Sequence, residues 1–232
     1  MSILSYGWPT TWHYPPELDT LEMQTPNIIT TRITHATQEQ KQMWRDRGKI
    51  VLHQMVSLPV LLTTDGALLA AMVENTEGYP IDGLSLDEFC LGAYDAVKLE
   101  RIKLALIACR EKYSHMLLHG WLGYSLSRID SKLVRMIYNL CDWVSPEVYL
   151  REGEVLTFQT FLSRYRHQID MSRTLMGIVT HKEYRTTTDG WLSHIEKQIH
   201  RIKALGCSGI AMWAPMHLKS SDERKRLDEL LK

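Results

Sequence analysis

Short apolar runs typical of buried strands alternate along the chain with amphipathic stretches typical of helices. Eight such runs are present: Ile3 to Trp8, Asn27 to Ile33, Ile50 to Val56, Ile81 to Leu86, His115 to His119, Trp143 to Tyr149, Leu175 to His181 and Gly209 to Trp213. The predicted helices are Thr37 to Arg47, Gly66 to Asn75, Tyr94 to Lys112, Asp130 to Leu140, Thr157 to Asp170, Trp191 to Leu205 and one after Ser220. This alternation predicts an α/β fold, a single (β/α)8 TIM barrel spanning residues 1–232 as one domain.

Start and stop signals support these elements. Thr37 is the expected N-cap of the first helix, Gly48 and Gly206 are expected to end helices, and Pro146 is expected to end the sixth strand before Glu147. A doubly wound open sheet is the alternative architecture. It is less favoured because the sequence has neither a Gly-x-Gly-x-x-Gly turn nor a Walker sequence.

Composition narrows the function classes. The 232 residues are 44% hydrophobic and 23% charged, and Lys+Arg and Asp+Glu each total 27, so no net field favours nucleic acid. No run approaches the roughly 20 apolar residues of a membrane span, so we expect a soluble protein, either cytoplasmic or secreted with its signal removed. Four cysteines without a Cys-x-x-Cys pair predict free thiols, and we expect neither metal nor cofactor.

Polar and aromatic side chains collect at the carboxyl ends of the predicted strands, where α/β barrels build their active sites. The fourth strand ends in two adjacent acids, Asp87 and Glu88. The acids predicted to be catalytic are Glu88, Asp87 and Glu147, and the residues predicted to bind substrate are Trp8, His53, Gln54, His119, Trp121, Tyr149, His181 and Trp213. Carboxylates beside indole faces are suited to cleaving a glycosidic bond in a carbohydrate.

Four segments resemble segments of known families. The stretch Asp82-Gly-Leu-Ser-Leu-Asp87-Glu88 is similar to the fourth-strand motif of family 18 chitinases, and Gly209-Ile-Ala-Met-Trp213 is similar to their eighth strand. The segments Tyr6-Gly-Trp8-Pro-Thr10 and Ser145-Pro-Glu-Val-Tyr-Leu150 resemble first- and sixth-strand segments of hyaluronidases. The resemblance implies a glycoside-hydrolase-like barrel that cleaves or binds a carbohydrate. It also shows a difference, because Ser85 replaces one motif aspartate and Glu88 directly follows Asp87, so the two acids point to opposite faces of a regular strand.

Because like charge and burial each raise a carboxyl pKa, one of the two adjacent acids is expected to stay protonated near neutral pH. Glu88 is the predicted general acid, and Asp87 is predicted to orient it or to stabilise positive charge on the sugar. Glu147 is the first choice for a second carboxylate, and Glu183 is the alternative.

Two other functions are open. A metal-dependent hydrolase would use His53, His119 and His181 beside the acids of the fourth strand. A non-catalytic barrel would keep the aromatic surface and bind sugar without cleaving it.

Overall fold

The structure is a computed structural model that describes residues 2–6, 27–31, 37–55, 81–86, 96–122, 131–147, 162–179, 190–213 and 221–232. The strands are β1 Ser2–Tyr6, β2 Ile28–Thr31, β3 Ile50–Met55, β4 Gly83–Leu86, β5 Leu117–Leu122, β6 Trp143–Pro146, β7 Leu175–Val179 and β8 Gly209–Trp213. The helices are α1 Gln38–Asp46, α2 Ala96–Lys112, α3 Ser131–Leu140, α4 Gly190–Ala204 and α5 Ser221–Leu231, with a 3-10 helix at Met171–Arg173. Within this part of the chain, no helix is long and apolar enough to cross a membrane.

All strand pairs are parallel, and the eight strands form one curled sheet in the order β6-β5-β4-β3-β2-β1-β8-β7. Isolated parallel bridges, Val144 with Thr174 and Glu147 with Gly177, connect the two outermost strands β6 and β7. The α/β class and the parallel arrangement of the strands are therefore confirmed.

The two faces of the sheet bury different side chains, because successive residues of a strand alternate between faces. The face turned away from the helices, called the inner face below, buries Ile28, Leu52, Trp121, Leu175 and Ala211 in one cluster. The outer face packs against helices. There, clusters form around Leu84, Leu118 and Val144 with α2 and α3, and around Ile178 and Met212 with α4 and α5.

The helix boundary signals act as the sequence predicts. The Thr37 hydroxyl accepts a hydrogen bond from the Gln40 N–H at 3.2 Å, and the Gln40 side chain accepts one from the Thr37 N–H at 2.9 Å, which completes a capping box. Gly48 and Gly206 both have φ +73°, the left-handed conformation that glycine adopts without a Cβ penalty. The thiols of Cys109, Cys141 and Cys207 are free.

Two predicted elements differ in particular from the structure. β5 runs from Leu117 to Leu122 rather than ending at His119, so this histidine lies within the strand. The predicted helix Thr157 to Asp170 falls partly outside the described residues, and its described part is helical only over 162–165. Asp170 instead caps the 3-10 helix, since its carboxylate accepts a hydrogen bond from the Ser172 N–H at 3.0 Å.

Candidate functional site

A hydrogen-bonded chain of three side chains crosses the inner face from β4 through β5 to β6. The Nδ1 atom of His119 lies 2.8 Å from the Ser85 hydroxyl oxygen, and its Nε2 atom lies 2.7 Å from that of Ser145. All three residues have no exposed surface. Ser85 is aligned with His119 across β4 and β5, whereas Ser145 is aligned with Trp121, one pleat farther along β5.

Burial determines the protonation state of His119 in this hydrogen-bonded chain of side chains. Desolvation lowers the pKa of His119 to about 3, so its imidazole is neutral at physiological pH. A neutral imidazole has one N–H donor and one acceptor nitrogen. One serine therefore accepts a hydrogen bond from the ring, and the other donates its hydroxyl hydrogen to it.

Trp121 and His119, both predicted to bind substrate, lie in contact with each other. Their ring centroids are 5.3 Å apart with an interplanar angle of 82°, an edge-to-face arrangement. Trp121 is only 1% exposed, within the inner-face cluster of Ile28 and Leu52. In this arrangement both rings contact protein groups, and their role in binding a substrate stays a prediction.

Glu147 follows the last residue of β6, where Pro146 ends the strand as expected. The Glu147 N–H donates to the Leu122 carbonyl at 2.9 Å, and its backbone bridges to Gly177 of β7. Its side chain is half-buried. The position of Glu147 is thus fixed by β5 on one side and by β7 on the other.

Asp82, the first acid of the chitinase-like motif, lies directly before β4, at the amino end of that strand. Its carboxylate accepts a hydrogen bond from the Val51 N–H at 2.8 Å and from Arg45 Nε at 3.1 Å. Asp142 repeats this arrangement before β6, where it accepts from the Leu118 N–H at 2.7 Å and from Arg110 at 2.6 Å. Each acid ties its own strand to the neighbouring strand, β3 or β5, and to the helix that precedes that neighbour, α1 or α2.

Three of the remaining predicted residues, His53, Gln54 and Trp213, lie within the described strands. His53 is aligned with Leu84, so it lies on the outer face of the sheet and not beside His119. The backbone of Gln54 pairs with Ser85, and that of Trp213 pairs with Tyr6 and Val179. Five predicted residues lie outside the described residues: Trp8, Asp87, Glu88, Tyr149 and His181. Glu183 also lies outside them.

Two of the three histidines of the metal-dependent alternative, His53 and His119, lie within the described residues. They contain no group of three or more His, Cys, Asp and Glu side chains placed to hold an ion. Both ring nitrogens of His119 are engaged by serine hydroxyls, and His53 lies on the other face. Within this part of the chain, the histidines proposed for a metal-dependent hydrolase do not converge.

A cavity of about 510 Å³ lies between α2 and α3, on the helical side of the sheet. Its lining residues are Lys103, Ser131, Lys132, Arg135, Met136, Asn139 and Leu140. None of them is among the predicted site residues. The cavity is therefore separate from the inner-face chain.

Ser85 and Ser145 were not predicted to act in the site. The available signal was a single hydroxyl at an inward position of an otherwise apolar strand, in Gly-Leu-Ser85-Leu and Trp-Val-Ser145-Pro. Each serine also precedes a candidate acid by two residues, Asp87 and Glu147. Only the strand register shows that one histidine joins them.

The fold of the chain is similar to that of family 18 glycoside hydrolases and of a chitinase-like lectin. A fungal endo-beta-N-acetylglucosaminidase of glycosyl hydrolase family 18 has a TM-score of 0.70 at 10% identity, with 100% of this chain and 98% of that chain covered. The endo-beta-N-acetylglucosaminidase of Cordyceps militaris has a TM-score of 0.74 at 17% identity, with 99% of this chain and 89% of that chain covered. The fold resemblance predicted from the Asp82 to Glu88 segment is confirmed.

Two further solved structures with a similar fold are an enzyme complex that holds a ligand and a chitinase-like agglutinin. A variant of the Cordyceps militaris enzyme, in complex with fucosyl-N-acetylglucosamine-Asn, has a TM-score of 0.72 at 15% identity, with 99% and 89% of the two chains covered. In it, an aspartate and a glutamate two positions apart are replaced by their amides. The chitinase-like agglutinin of Robinia pseudoacacia has a TM-score of 0.72 at 10% identity, with 99% of each chain covered. No protein-family model and no curated protein matches the sequence.

Proposed function

We propose that the eight strands close into a (β/α)8 barrel that takes a carbohydrate at the carboxyl ends of its strands. What supports closure is the pair of bridges between β6 and β7, Val144 with Thr174 and Glu147 with Gly177. Glycine at 177 also favours it. A Cβ there would lie 2.7 Å from the Pro146 carbonyl oxygen, so the missing side chain permits the close approach of the two strands.

The proposed ligand is a glycan that contains N-acetylglucosamine. The observation that carries this proposal is the similarity of the fold, over 99% of the chain, to an enzyme whose complex holds fucosyl-N-acetylglucosamine-Asn. A TIM barrel that shares this fold would present its loops at the same end of the sheet. The proposed binding surface includes Trp8, Trp213 and Tyr149, whose aromatic faces would stack on sugar rings.

For hydrolysis, the proposed acids are Glu88, Asp87 and Glu147. Glu147 is the described member of this set, and it follows Ser145 on the strand that ends at Pro146. A general acid and a second carboxylate suffice to cleave a glycosidic bond, and their separation sets the stereochemical outcome. Carboxyl groups about 5–5.5 Å apart would give retention, and roughly 6.5–9.5 Å would give inversion.

A lectin-like barrel is the second candidate, favoured by the order of the acids. The enzyme variant carries its two substitutions two positions apart, which in a strand places both side chains on one face. In this chain Ser85 and Asp87 have that spacing, and Glu88 directly follows Asp87. A binding protein needs no acid on that face, and the agglutinin of Robinia pseudoacacia has a similar fold.

Titration calorimetry with chitotetraose and with an N-glycan core, followed by chromatography of the same mixtures, tests both candidates. Binding with release of shorter sugars supports the hydrolase, and binding without release supports the lectin. If neither sugar binds nor changes tryptophan fluorescence, the carbohydrate proposal is wrong. Assay after chelation, with elemental analysis, tests the metal-dependent alternative.

A further inference from the structure

Ser85 and Ser145 lie on strands that are not neighbours, since β5 separates β4 from β6. The His119 ring joins their hydroxyls, with 2.8 Å from Nδ1 to Ser85 and 2.7 Å from Nε2 to Ser145. In the sequence, each serine stands two residues before a candidate acid, Asp87 or Glu147. The buried chain therefore joins the two strands that lead to the proposed acids.

The hydrogen-bonded chain of Ser85, His119 and Ser145 is suited to fixing one geometry of the strands that carry it. Its three side chains are fully buried, so a broken hydrogen bond would leave a polar atom without water. A fully satisfied buried network stiffens its surroundings more than separate pairs do. Because the neutral imidazole has one donor and one acceptor, both of its hydrogen bonds require serine hydroxyls of matching orientation.

We propose that His119 is a positioning residue that, through Ser85 and Ser145, fixes the ends of β4 and β6 relative to each other. In this way it sets the spacing of the groups that meet the glycan, which rests on the proposed function. The link between β4 and β6 through these three side chains, called the tie below, does not rest on the proposed function. It acts on the strands with or without a ligand. His119 touches neither substrate nor reacting atoms in this role.

The tie is tested by removing the serine on one strand and measuring the effect at the other strand. In Ser85→Ala, the Glu147 N–H on the far strand should exchange with deuterium about tenfold faster, although its acceptor on Leu122 is unchanged. Ser145→Ala should give a similar increase, and the double variant no more than either single one, because both break the same tie. The matched control is Thr30→Val. The Thr30 hydroxyl is also buried but has no partner among the described residues.

The effect of the tie on glycan binding is tested with chitotetraose. If the tie sets the spacing of the contacting groups, each serine variant should weaken chitotetraose binding about tenfold, non-additively, while Thr30→Val should bind as the wild type does. His119→Gln, which retains an amide near the Nε2 position, should behave like the serine variants because the link to Ser85 is lost. A purely structural role would lower the melting temperature without changing the affinity.

The outcomes separate the two proposals. Wild-type protein that fails to bind chitotetraose overturns the proposed function, while faster exchange at Glu147 in Ser85→Ala still supports the tie. Unchanged exchange at Glu147 in Ser85→Ala overturns the tie, whatever the glycan result. Additive losses of affinity in the double variant would also overturn it, because two independent contacts would then be at work.

Discussion

Gly177 and Glu147 form a backbone bridge that joins β7 to the end of β6. A Cβ at 177 would lie 2.7 Å from the Pro146 carbonyl oxygen and 3.2 Å from the Glu147 Cα. Real Cβ atoms do not approach backbone oxygen so closely, so any side chain here must push the two strands apart. The bridge thus depends on glycine, and it also fixes the backbone that carries a candidate acid.

Gly177→Ala is accordingly expected to lower the free energy of unfolding by about 1–3 kcal/mol, the range for overpacking a tight site. Gly48→Ala is the control. It has φ +73° but nothing within 4 Å of the added Cβ, so its cost should be that of the left-handed backbone alone, about 1–2 kcal/mol. Only Gly177→Ala should also alter the Glu147 amide signal in NMR spectra. Equal amide spectra for both variants would show that the strands accommodate the methyl group.

The carboxylate of Asp82 is expected to matter more to stability than its ion pair with Arg45. The pair is partly exposed, with 39% of the Arg45 and 26% of the Asp82 side chain accessible, so Arg45→Ala should cost about 0–1 kcal/mol. Asp82→Ala also removes the acceptor of the Val51 N–H, which should raise the cost to about 1–3 kcal/mol. Urea unfolding measures both values. Equal losses would show that the backbone contact contributes nothing.

The depressed pKa of His119 predicts loss of stability in acid. The folded-state pKa is about 3 and the ordinary value is 6.5, so between these pH values the unfolded state binds more protons and stability falls as pH falls. On going from pH 8 to pH 5, the loss due to His119 should be about 2 kcal/mol.

His119→Gln has no such titration, and its stability should be less sensitive to pH over the same interval. Urea unfolding of both proteins at pH 8, 6.5 and 5 makes the comparison. Parallel pH dependences would show that His119 titrates alike in the folded and unfolded states, contrary to its burial.

Local signals predicted several elements well. β8 matches the predicted run Gly209 to Trp213, and α1 begins after the predicted cap Thr37, because short-range apolar pattern and capping chemistry determine both. The predicted fifth strand, His115 to His119, lies too early in the chain, and Gly120 directly follows it. In the structure, Gly120 pairs with Leu86 and Val144 inside the sheet, so tertiary pairing extends the strand.

The hydrogen-bonded side chains on the inner face could not be predicted from such local signals. His119 was expected at a strand end, open to a ligand, and the structure gives it two serine partners instead. This contact depends on the register between β4, β5 and β6, and residues 34 and 26 positions apart form the two hydrogen bonds. No local pattern specifies such a register, so the sequence alone does not single out the two serines.

The last prediction concerns the acids that the proposed hydrolysis requires. If Glu88 is the general acid, Glu88→Gln should reduce release of N-acetylglucosamine from chitotetraose about 10²–10⁴-fold, because an amide cannot protonate the leaving oxygen. Asp87→Asn should reduce the rate less and shift its pH profile, since Asp87 is proposed to orient the acid. Glu147→Gln should also lower the rate if Glu147 is the second carboxylate.

The matched control for these variants is Glu100→Gln, which changes an exposed acid of α2 that pairs with Lys103 at 3.1 Å, away from the sheet. It should leave the rate unchanged. Full activity in Glu88→Gln would assign the general acid to another group, and Glu147 would be next if its variant alone were inactive. Loss of activity in Glu183→Gln but not in Glu147→Gln would transfer the role of second carboxylate to Glu183. A different result would establish the lectin-like barrel. In that case the wild type would not hydrolyse chitotetraose, and all of these variants would bind it as tightly as the wild type does. The acids would then serve neither cleavage nor affinity.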